Sequence, residues 1–426
     1  MITAPELRTL LDGLARRFEN RPQADDESKE LGAMGWGQFL DGSPQHNQVG
    51  PYGTCSGIIA RALANRGSDK LDKLVNTLVM RWWNERDKPE SHKKFLGQTI
   101  RLAMLHLAVR LKGENALGTI QKEIEETLLA HIRPDQMWGN FLMPGEIEDP
   151  SPRLIATSLV ILSFTLFRSE TDPCPTQLVD AVRKLEDRVL GTENLPRLHL
   201  AIASAAISSI SNHAPSSKVR SRINRLAYAT QVSLPELGVY FYDYEYAENT
   251  PATTEHATHR FETDYFIVPI EVVLGIAGFQ PQAPTYLRFR AETTLNLLVK
   301  NLQGFDGFYR PDNEQRISSV NQCWVAMYLA LAEQSIEKKR PFTSSAVHLP
   351  GRVLYFLIRQ RPDKFWLDSM MLTLCGLSVL GASLIPSEGM SLLRIFTIKL
   401  CAAVLAFIAG RLYAPVFLKR IFMERE

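Results

Sequence analysis

Cysteine and net charge are both scarce in this 426-residue sequence. Its five cysteines are scattered and odd in number, which excludes a disulfide framework and indicates reduced thiols in a cytosolic or membrane setting. The 48 basic residues are balanced by 46 acidic ones, so the formal net charge is only +2. Because no global positive field exists, we do not expect nucleic acid to be a direct partner.

Several motifs that would indicate a function are also missing. The sequence has no P-loop, no dinucleotide fingerprint and no Gly-x-Ser-x-Gly elbow, and nothing in it indicates a cofactor. The segment 1–19 is amphipathic and charged throughout, so it lacks the apolar core of a secretory signal. No long run alternates between apolar and polar residues, whereas apolar residues recur at helical spacing. The sequence therefore predicts an all-α protein.

A repeated pattern organises the first three quarters of the chain. The segments 36–64 and 138–164 each begin with a Trp-Gly-x-Phe corner, continue as a polar loop and end in an apolar helix with small residues at its start. A third version, at 302–332, has Gly307-Phe308-Tyr309 as its corner. Weaker versions near residues 83, 191 and 239 suggest about six units with a period near ~50 residues, which is typical of helical repeats.

The small residues at the helix starts call for a physical reason. Gly53 and Gly57 would let neighbouring helix backbones approach closely. Thr54 and Ser56 would cap orphan amides at the helix start. The Trp corner would bury a large aromatic side chain in the outer turn. The alternative is that these residues are ordinary caps in an irregular helical domain.

The segment Leu302 to Pro311, LQGFDGFYRP, resembles the Gln-x-x-x-Gly-aromatic turn of the prenyltransferase and squalene-cyclase repeat family. The resemblance extends over roughly residues 30–335. It implies an α/α toroid of about six helical hairpins, with one helix of each hairpin in an inner barrel. On this interpretation the helix starts and a Tyr-rich segment line a binding site, which comprises Thr54, Ser56, Thr99, Thr157, Tyr242, Tyr244, Thr263, Asn321 and Gln322.

The catalytic groups of that family are not evident. There is no Asp-x-Asp-Asp acid motif. The segments NQCW and GTCSG are similar to the zinc-binding motifs of prenyltransferases, but Asn321 and Gly53 stand where the other ligands would be, and a lone Cys323 cannot hold a tetrahedral zinc. We therefore predict no metal site, although His256, His259 and Glu262 could share a helix face if their segment were helical. Enzymatic activity stays open.

If the protein is an enzyme, we expect its catalytic acid to come from one segment that is rich in aromatic and acidic residues. The segment 239–246, VYFYDYEY, alternates tyrosine with acid, a composition that suits a half-buried wall or lid at the mouth of a barrel. Asp243 and Glu245 are its catalytic candidates.

The C-terminal part of the sequence has a different composition. Residues 341–365 form a basic juxtamembrane linker after a domain at 1–340. Residues 366–426 then contain two apolar runs, 369–385 and 391–410, which are separated by PSEGM. Two such runs in tandem predict a transmembrane hairpin of two helices.

Basic residues predict the orientation of this hairpin. They flank both ends and are missing from the loop between the spans, so both ends and the toroid should be cytoplasmic, at a bacterial inner membrane. Trp366 and Tyr413 should lie at the same interface, and Arg411 is among the basic residues that follow the second span. Arg394 can snorkel outward. Lys399 lies deeper and is either a functional intramembrane charge or a second snorkelling residue.

Three functions follow from these predictions. The first is a membrane-anchored toroid that senses a ligand or partner and whose hairpin acts on the lipid bilayer, as in a bacterial defence or toxin effector. Such an effector would form a homo-oligomer or bind a companion protein from a neighbouring gene. The second is a membrane-bound enzyme, similar to terpene cyclases or prenyltransferases, that acts on an isoprenoid or another lipid. The third is a passive membrane-tethered scaffold.

Overall fold

We describe a computed structural model of the chain. The described residues are 2–25, 32–37, 39–40, 49–67, 69–86, 99–113, 115–139, 154–168, 174–192, 195, 197–211, 213–233, 239–240, 268–304 and 317–337. The chain divides into two units, Met1–Thr343 and Ser344–Glu426, and the described residues all belong to the first. The two apolar runs predicted to span a membrane therefore lie outside the described residues.

The protein is mostly helical, which confirms the all-α prediction. The helices in chain order are α1 (Ala4–Glu19), α2 (Pro51–Leu63), α3 (Asp69–Asn84), α4 (Thr99–Lys112), α5 (Asn115–Ala130), α6 (Leu154–Thr165), α7 (Thr176–Gly191), α8 (Arg197–Ser209), α9 (Ser217–Ser233), α10 (Ile270–Gly278), α11 (Thr285–Gly304) and α12 (Ser319–Glu337). None of these helices has the combination of length and hydropathy that crossing a bilayer requires.

Strands contribute little. β1 (Gln23–Ala24) pairs antiparallel with β2 (Met34–Gly35). β3 (Val239–Tyr240) pairs antiparallel with β4 (Val268–Pro269), which ends where α10 begins. The two ribbons therefore connect helices and form no layer of their own.

The odd-numbered helices other than α3 cover the even-numbered ones, whereas the main contacts of α3 are with β2 and α5. In α1, the buried residues Leu7, Leu11, Leu14 and Phe18 recur at three- and four-residue spacing and form a single apolar stripe. A capping box starts this helix, because Thr3 and Glu6 each accept a hydrogen bond from the other's backbone N–H. We call the odd-numbered helices other than α3 the covering helices.

The even-numbered helices are buried on nearly every side, and we call them the buried helices. In α4, for example, the residues from Thr99 to Val109 are all buried. Such helices carry no polar face, and the small side chains that the sequence places in α2, α6 and α8 suit this position. The covering helices α1, α5, α7, α9 and α11 each contact at least one buried helix.

The buried helices contact one another in cyclic order. α2 contacts α4, and the contacts continue through α6, α8 and α10 to α12, which contacts α2 again. The segments before α2 and α12 are also joined, because the Leu40 N–H donates to the Ile317 carbonyl at 2.8 Å. Helix α1 packs against both α12 and α2, so the first and last parts of the described chain lie side by side.

Hydrogen bonds between helix ends indicate that neighbouring buried helices run parallel. The Thr99 hydroxyl at the start of α4 donates to the Gly139 carbonyl, in the segment before α6, at 2.7 Å. At the opposite ends, Thr165 of α6 bonds to Ser209 of α8 at 2.8 Å. We call the first turns of the buried helices the amino end and their last turns the carboxyl end.

Candidate functional site

Two tryptophan corners build the amino end, and they have the same geometry. The backbone N–H of Trp36 donates to the Thr54 hydroxyl at 3.2 Å, and this hydroxyl donates back to the Trp36 carbonyl at 3.4 Å. Trp138 and Thr157 form the same pair at 3.0 and 3.3 Å. Since both hydroxyls and both indoles are fully buried, each threonine ties the corner before its helix to the first turn of that helix.

The indole of each corner reaches back to the preceding covering helix. Trp36 Nε1 donates to the Phe18 carbonyl in the last turn of α1 at 2.8 Å. Trp138 Nε1 donates to the Leu128 carbonyl near the end of α5 at 2.7 Å. Each tryptophan therefore donates to a carbonyl near the end of its helix, where the regular helical donors run out. The Phe18 carbonyl also accepts from the Arg21 N–H at 3.1 Å. The repeat that the sequence shows is thus a repeat of hydrogen bonds as well.

The structure gives a different reason for the small residues of α2 from the one predicted. A Cβ atom at Gly53 would overlap the Trp36 and Gly37 carbonyls, and one at Gly57 would overlap the Trp36 ring. The crowding therefore comes from the corner of the same repeat and not from a neighbouring helix. The helix begins at Pro51 behind Gly50, with no side-chain cap, so the predicted capping by Thr54 and Ser56 was wrong.

Ser56 lies beside two buried thiols. It is fully buried next to Cys323 of α12, where burial raises the pKa of the Cys323 thiol to about 12. Burial also raises the pKa of the Cys55 thiol, and the nearby Cys323 adds to this effect. Both thiols are therefore protonated at neutral pH, whereas zinc binds the thiolate. Within the described ranges, no three His, Cys, Asp or Glu side chains cluster as a metal would require.

The remaining predicted residues divide into two groups. Asn321 and Gln322 are buried in the first turn of α12, where the Asn321 N–H donates to Ser318 Oγ at 3.3 Å. The other predicted binding, catalytic and membrane residues lie outside the described residues: Tyr242, Asp243, Tyr244, Glu245, Thr263, Trp366, Arg394, Lys399, Arg411 and Tyr413. The segment 239–246 does begin near the amino end, because β3 pairs with the two residues that precede α10.

Sequence reasoning missed three buried polar residues at the amino end. Arg101 of α4, His199 of α8 and Glu271 of α10 each lie within the first three residues of a buried helix, with exposed fractions of 8%, 1% and 5%. The guanidinium carbon of Arg101 lies 5.4 Å from the ring centroid of Tyr52, in the first turn of α2. The sequence feature that could have identified them is a single ionisable residue at the start of an otherwise apolar helix, as in TIRLAMLHLAV.

A serine, a histidine and a glutamate meet near the carboxyl end. His106 Nδ1 lies 2.9 Å from Ser163 Oγ, and its Nε2 lies 3.1 Å from Glu125 Oε1. Burial lowers the pKa of His106. A neutral ring that donates from Nε2 to Glu125 leaves Nδ1 as the acceptor toward Ser163, whose hydroxyl also lies 2.8 Å from the Val160 carbonyl. The hydrogen bond from His106 lowers the pKa of Glu125. Although the order is that of a hydrolase triad, His106 is 0% and Ser163 2% exposed, so no substrate can reach the hydroxyl and the network is structural.

The chain was also compared with known proteins. No family model matches it, and no curated protein or solved structure does either. The amino end is therefore interpreted from its own residues.

Proposed function

We propose that the protein is a membrane-anchored α/α toroid that binds a ligand at the amino end of its buried helices. The cyclic order of contacts among α2, α4, α6, α8, α10 and α12 supports the toroid. The observation that carries the binding function is that polar residues are buried in the first turns of these helices, among them Arg101, His199, Glu271 and Asn321. Burying polar groups is costly, and a bound ligand that contacts them would offset this cost.

The chain's two apolar C-terminal runs support the membrane anchor, and the basic residues around them support a cytoplasmic toroid at a bacterial inner membrane. Ligand binding at the amino end would then change how copies of the chain, or the chain and a companion protein, associate through the hairpin. Such association can line a wet path with Lys399, as a defence or toxin effector requires. A passive scaffold would need neither the buried polar residues nor this lysine.

An isoprenoid- or lipid-modifying enzyme is the second candidate, and Glu271 favours it. This carboxyl is buried at the amino end, where it could serve as a general acid. If the protein were such an enzyme, Glu271→Gln would abolish turnover of a squalene-like or prenyl diphosphate substrate. No turnover by the wild type over such a panel would exclude this candidate.

Native mass spectrometry of the full-length protein in detergent tests the binding function. We expect a small molecule to stay bound after purification. We expect Asn321→Leu to lower its occupancy about tenfold, because one lost buried polar contact is worth about 1.4 kcal/mol. Thr165→Val is the matched control, since it removes a partly buried hydroxyl from the carboxyl end, where no binding is proposed. Equal occupancy in both variants would contradict an amino-end site.

The effector function makes a separate prediction about Lys399. Lys399→Leu should leave the protein folded and membrane-bound, because it makes the second span more apolar, yet it should abolish depolarisation by the activated protein. A potential-sensitive dye would report the effect in cells that express each variant with its neighbouring genes. Arg394→Leu, closer to the membrane surface, should have a smaller effect. If Lys399→Leu depolarises cells as well as the wild type does, the effector function is wrong.

A further inference from the structure

Arg101 is a buried cation for which the described part of the chain supplies no acid. It is the third residue of α4 and is 8% exposed. Its Nε atom has no hydrogen-bond partner, and its side chain forms no ion pair with any residue of the described ranges. A buried guanidinium without a counter-charge costs several kcal/mol. A negatively charged ligand bound beside Arg101 would supply the missing counter-charge and explain why the fold tolerates this buried cation.

Two arginines elsewhere in the buried helices have partners for their charge. Arg61 of α2 is buried, donates to Asp72 at 2.7 Å and lies 3.7 Å from Glu19. Arg110 lies nine positions after Arg101 on the same helix, is partly buried, and donates to the carbonyls of Ser163, at 3.1 Å, and Leu166. Of these three arginines, Arg101 alone has neither an acid nor a carbonyl partner among the described residues.

The surroundings of Arg101 indicate the charge and shape of a ligand. The Tyr52 ring stacks near its guanidinium, so a ligand would approach the N–H edge of the group. Two parallel N–H bonds from that edge match a carboxylate. The first-turn amides at this end add a positive potential. A single guanidinium carries one positive charge, which balances a monocarboxylate but not a diphosphate or another polyanion.

We propose that the amino end binds the carboxylate of a small organic acid, with Arg101 as its anion-binding residue and Tyr52 as the aromatic platform beneath the guanidinium. The inference rests on the proposed binding function and specifies the chemical class of the ligand.

Thermal unfolding of the full-length protein in detergent tests this proposal, with sodium benzoate as the probe. Against sodium chloride of the same ionic strength, about 20 mM benzoate should raise the Tm of the wild type by about 2–5 °C. Pyrophosphate and inorganic phosphate should raise it no more than chloride does. No shift with benzoate would overturn the proposal, and a larger shift with pyrophosphate that depends on Arg101 would overturn the carboxylate assignment.

Two variants on α4 separate binding from a structural role. Without ligand, Arg101→Met should raise the Tm by about 2–4 °C, because it removes an uncompensated buried charge, and it should abolish the benzoate shift. Arg110→Met should lower the Tm, because it leaves helix-end carbonyls without donors, and should keep the shift. If Arg101→Met lowers the Tm as Arg110→Met does, Arg101 has a structural partner and the proposal is wrong.

Tyr52→Leu keeps the test decisive if Arg101→Met does not fold. We expect the apparent Kd for benzoate to rise about threefold to tenfold when the aromatic platform is lost, and an unchanged Kd would overturn the proposal.

Failure of the carboxylate proposal can be distinguished from failure of the proposed binding function. A co-purifying molecule without a carboxylate would refute this inference alone, whereas equal occupancy in Asn321→Leu and Thr165→Val would refute the amino-end site itself.

Discussion

Polar groups have different hydrogen-bond partners at the two ends of the buried helices. At the carboxyl end, arginines from neighbouring helices satisfy the terminal carbonyls: Arg8 donates to Leu63 at 3.1 Å, and Arg110 donates to Ser163 at 3.1 Å. At the amino end, corner residues satisfy the backbone, and Arg101 is left without an acid among the described residues. This comparison is the basis of the proposed amino-end site, because the arginines of the carboxyl end already donate to carbonyls.

The tightest packing of the amino end predicts the largest effect on stability. Gly57→Ala places a methyl group where the Trp36 ring lies, and since both are buried, the ring or the helix must move. We expect a loss of about 2–3 kcal/mol in the free energy of unfolding, measured by chemical denaturation of the full-length protein.

Gly118→Ala is the matched control for Gly57→Ala. Gly118 lies within α5, and a Cβ there would have open space. The same substitution should therefore stabilise the helix by about 0.5–1 kcal/mol. Equal effects of the two substitutions would show that Trp36 does not occupy the position described.

The corner hydrogen bonds predict the next largest effect. Trp138→Phe keeps an aromatic ring but removes the indole N–H, so the buried Leu128 carbonyl loses its donor. We expect a loss of about 1–3 kcal/mol in unfolding free energy. Trp36 makes the same bond to Phe18, but the Phe18 carbonyl also accepts from the Arg21 N–H at 3.1 Å. Trp36→Phe should therefore cost less than Trp138→Phe under the same conditions. Equal costs would show that the Arg21 N–H does not compensate for the lost indole donor.

Much of this architecture could be predicted from the sequence, because it depends on local patterns. The Trp-Gly corners at 36 and 138 and the helix starting at Thr99 follow from spacing and composition alone. The role of Gly53 and Gly57 could not be predicted, since it depends on where the Trp36 ring folds back. Arg101 was missed for a similar reason. Its burial and its contact with Tyr52 depend on the packing of α4 against α2, and these two helices are far apart in the sequence.

The histidine network near the carboxyl end predicts a smaller, pH-dependent effect. Burial lowers the pKa of His106 in the folded state, so above about pH 6.5 the ring is neutral in both states and the stability is complete. As the pH falls below about 6.5, the unfolded chain binds the proton first and stability is lost, by at most about 1.4 kcal/mol per pH unit. The lowered pKa of Glu125 adds a further loss at more acidic pH.

Unfolding curves of the wild type and His106→Gln between about pH 7.5 and 5.5 measure this effect. The variant should be less stable at pH 7.5 and should lose less stability as the pH falls. Benzoate binding at the amino end should be unchanged by His106→Gln. Parallel losses in the two proteins would show that another group titrates in this range.

The contact of α1 with α12 has a consequence for the time course of biosynthesis. Arg8 and Glu333 form a hydrogen-bonded ion pair at 2.7 Å between residues 325 positions apart. At about 5–20 residues per second, the first helix waits on the order of 20–60 s for this partner to be translated. Throughout that interval α1 can pack against α2, but the part of its surface that contacts α12 stays exposed.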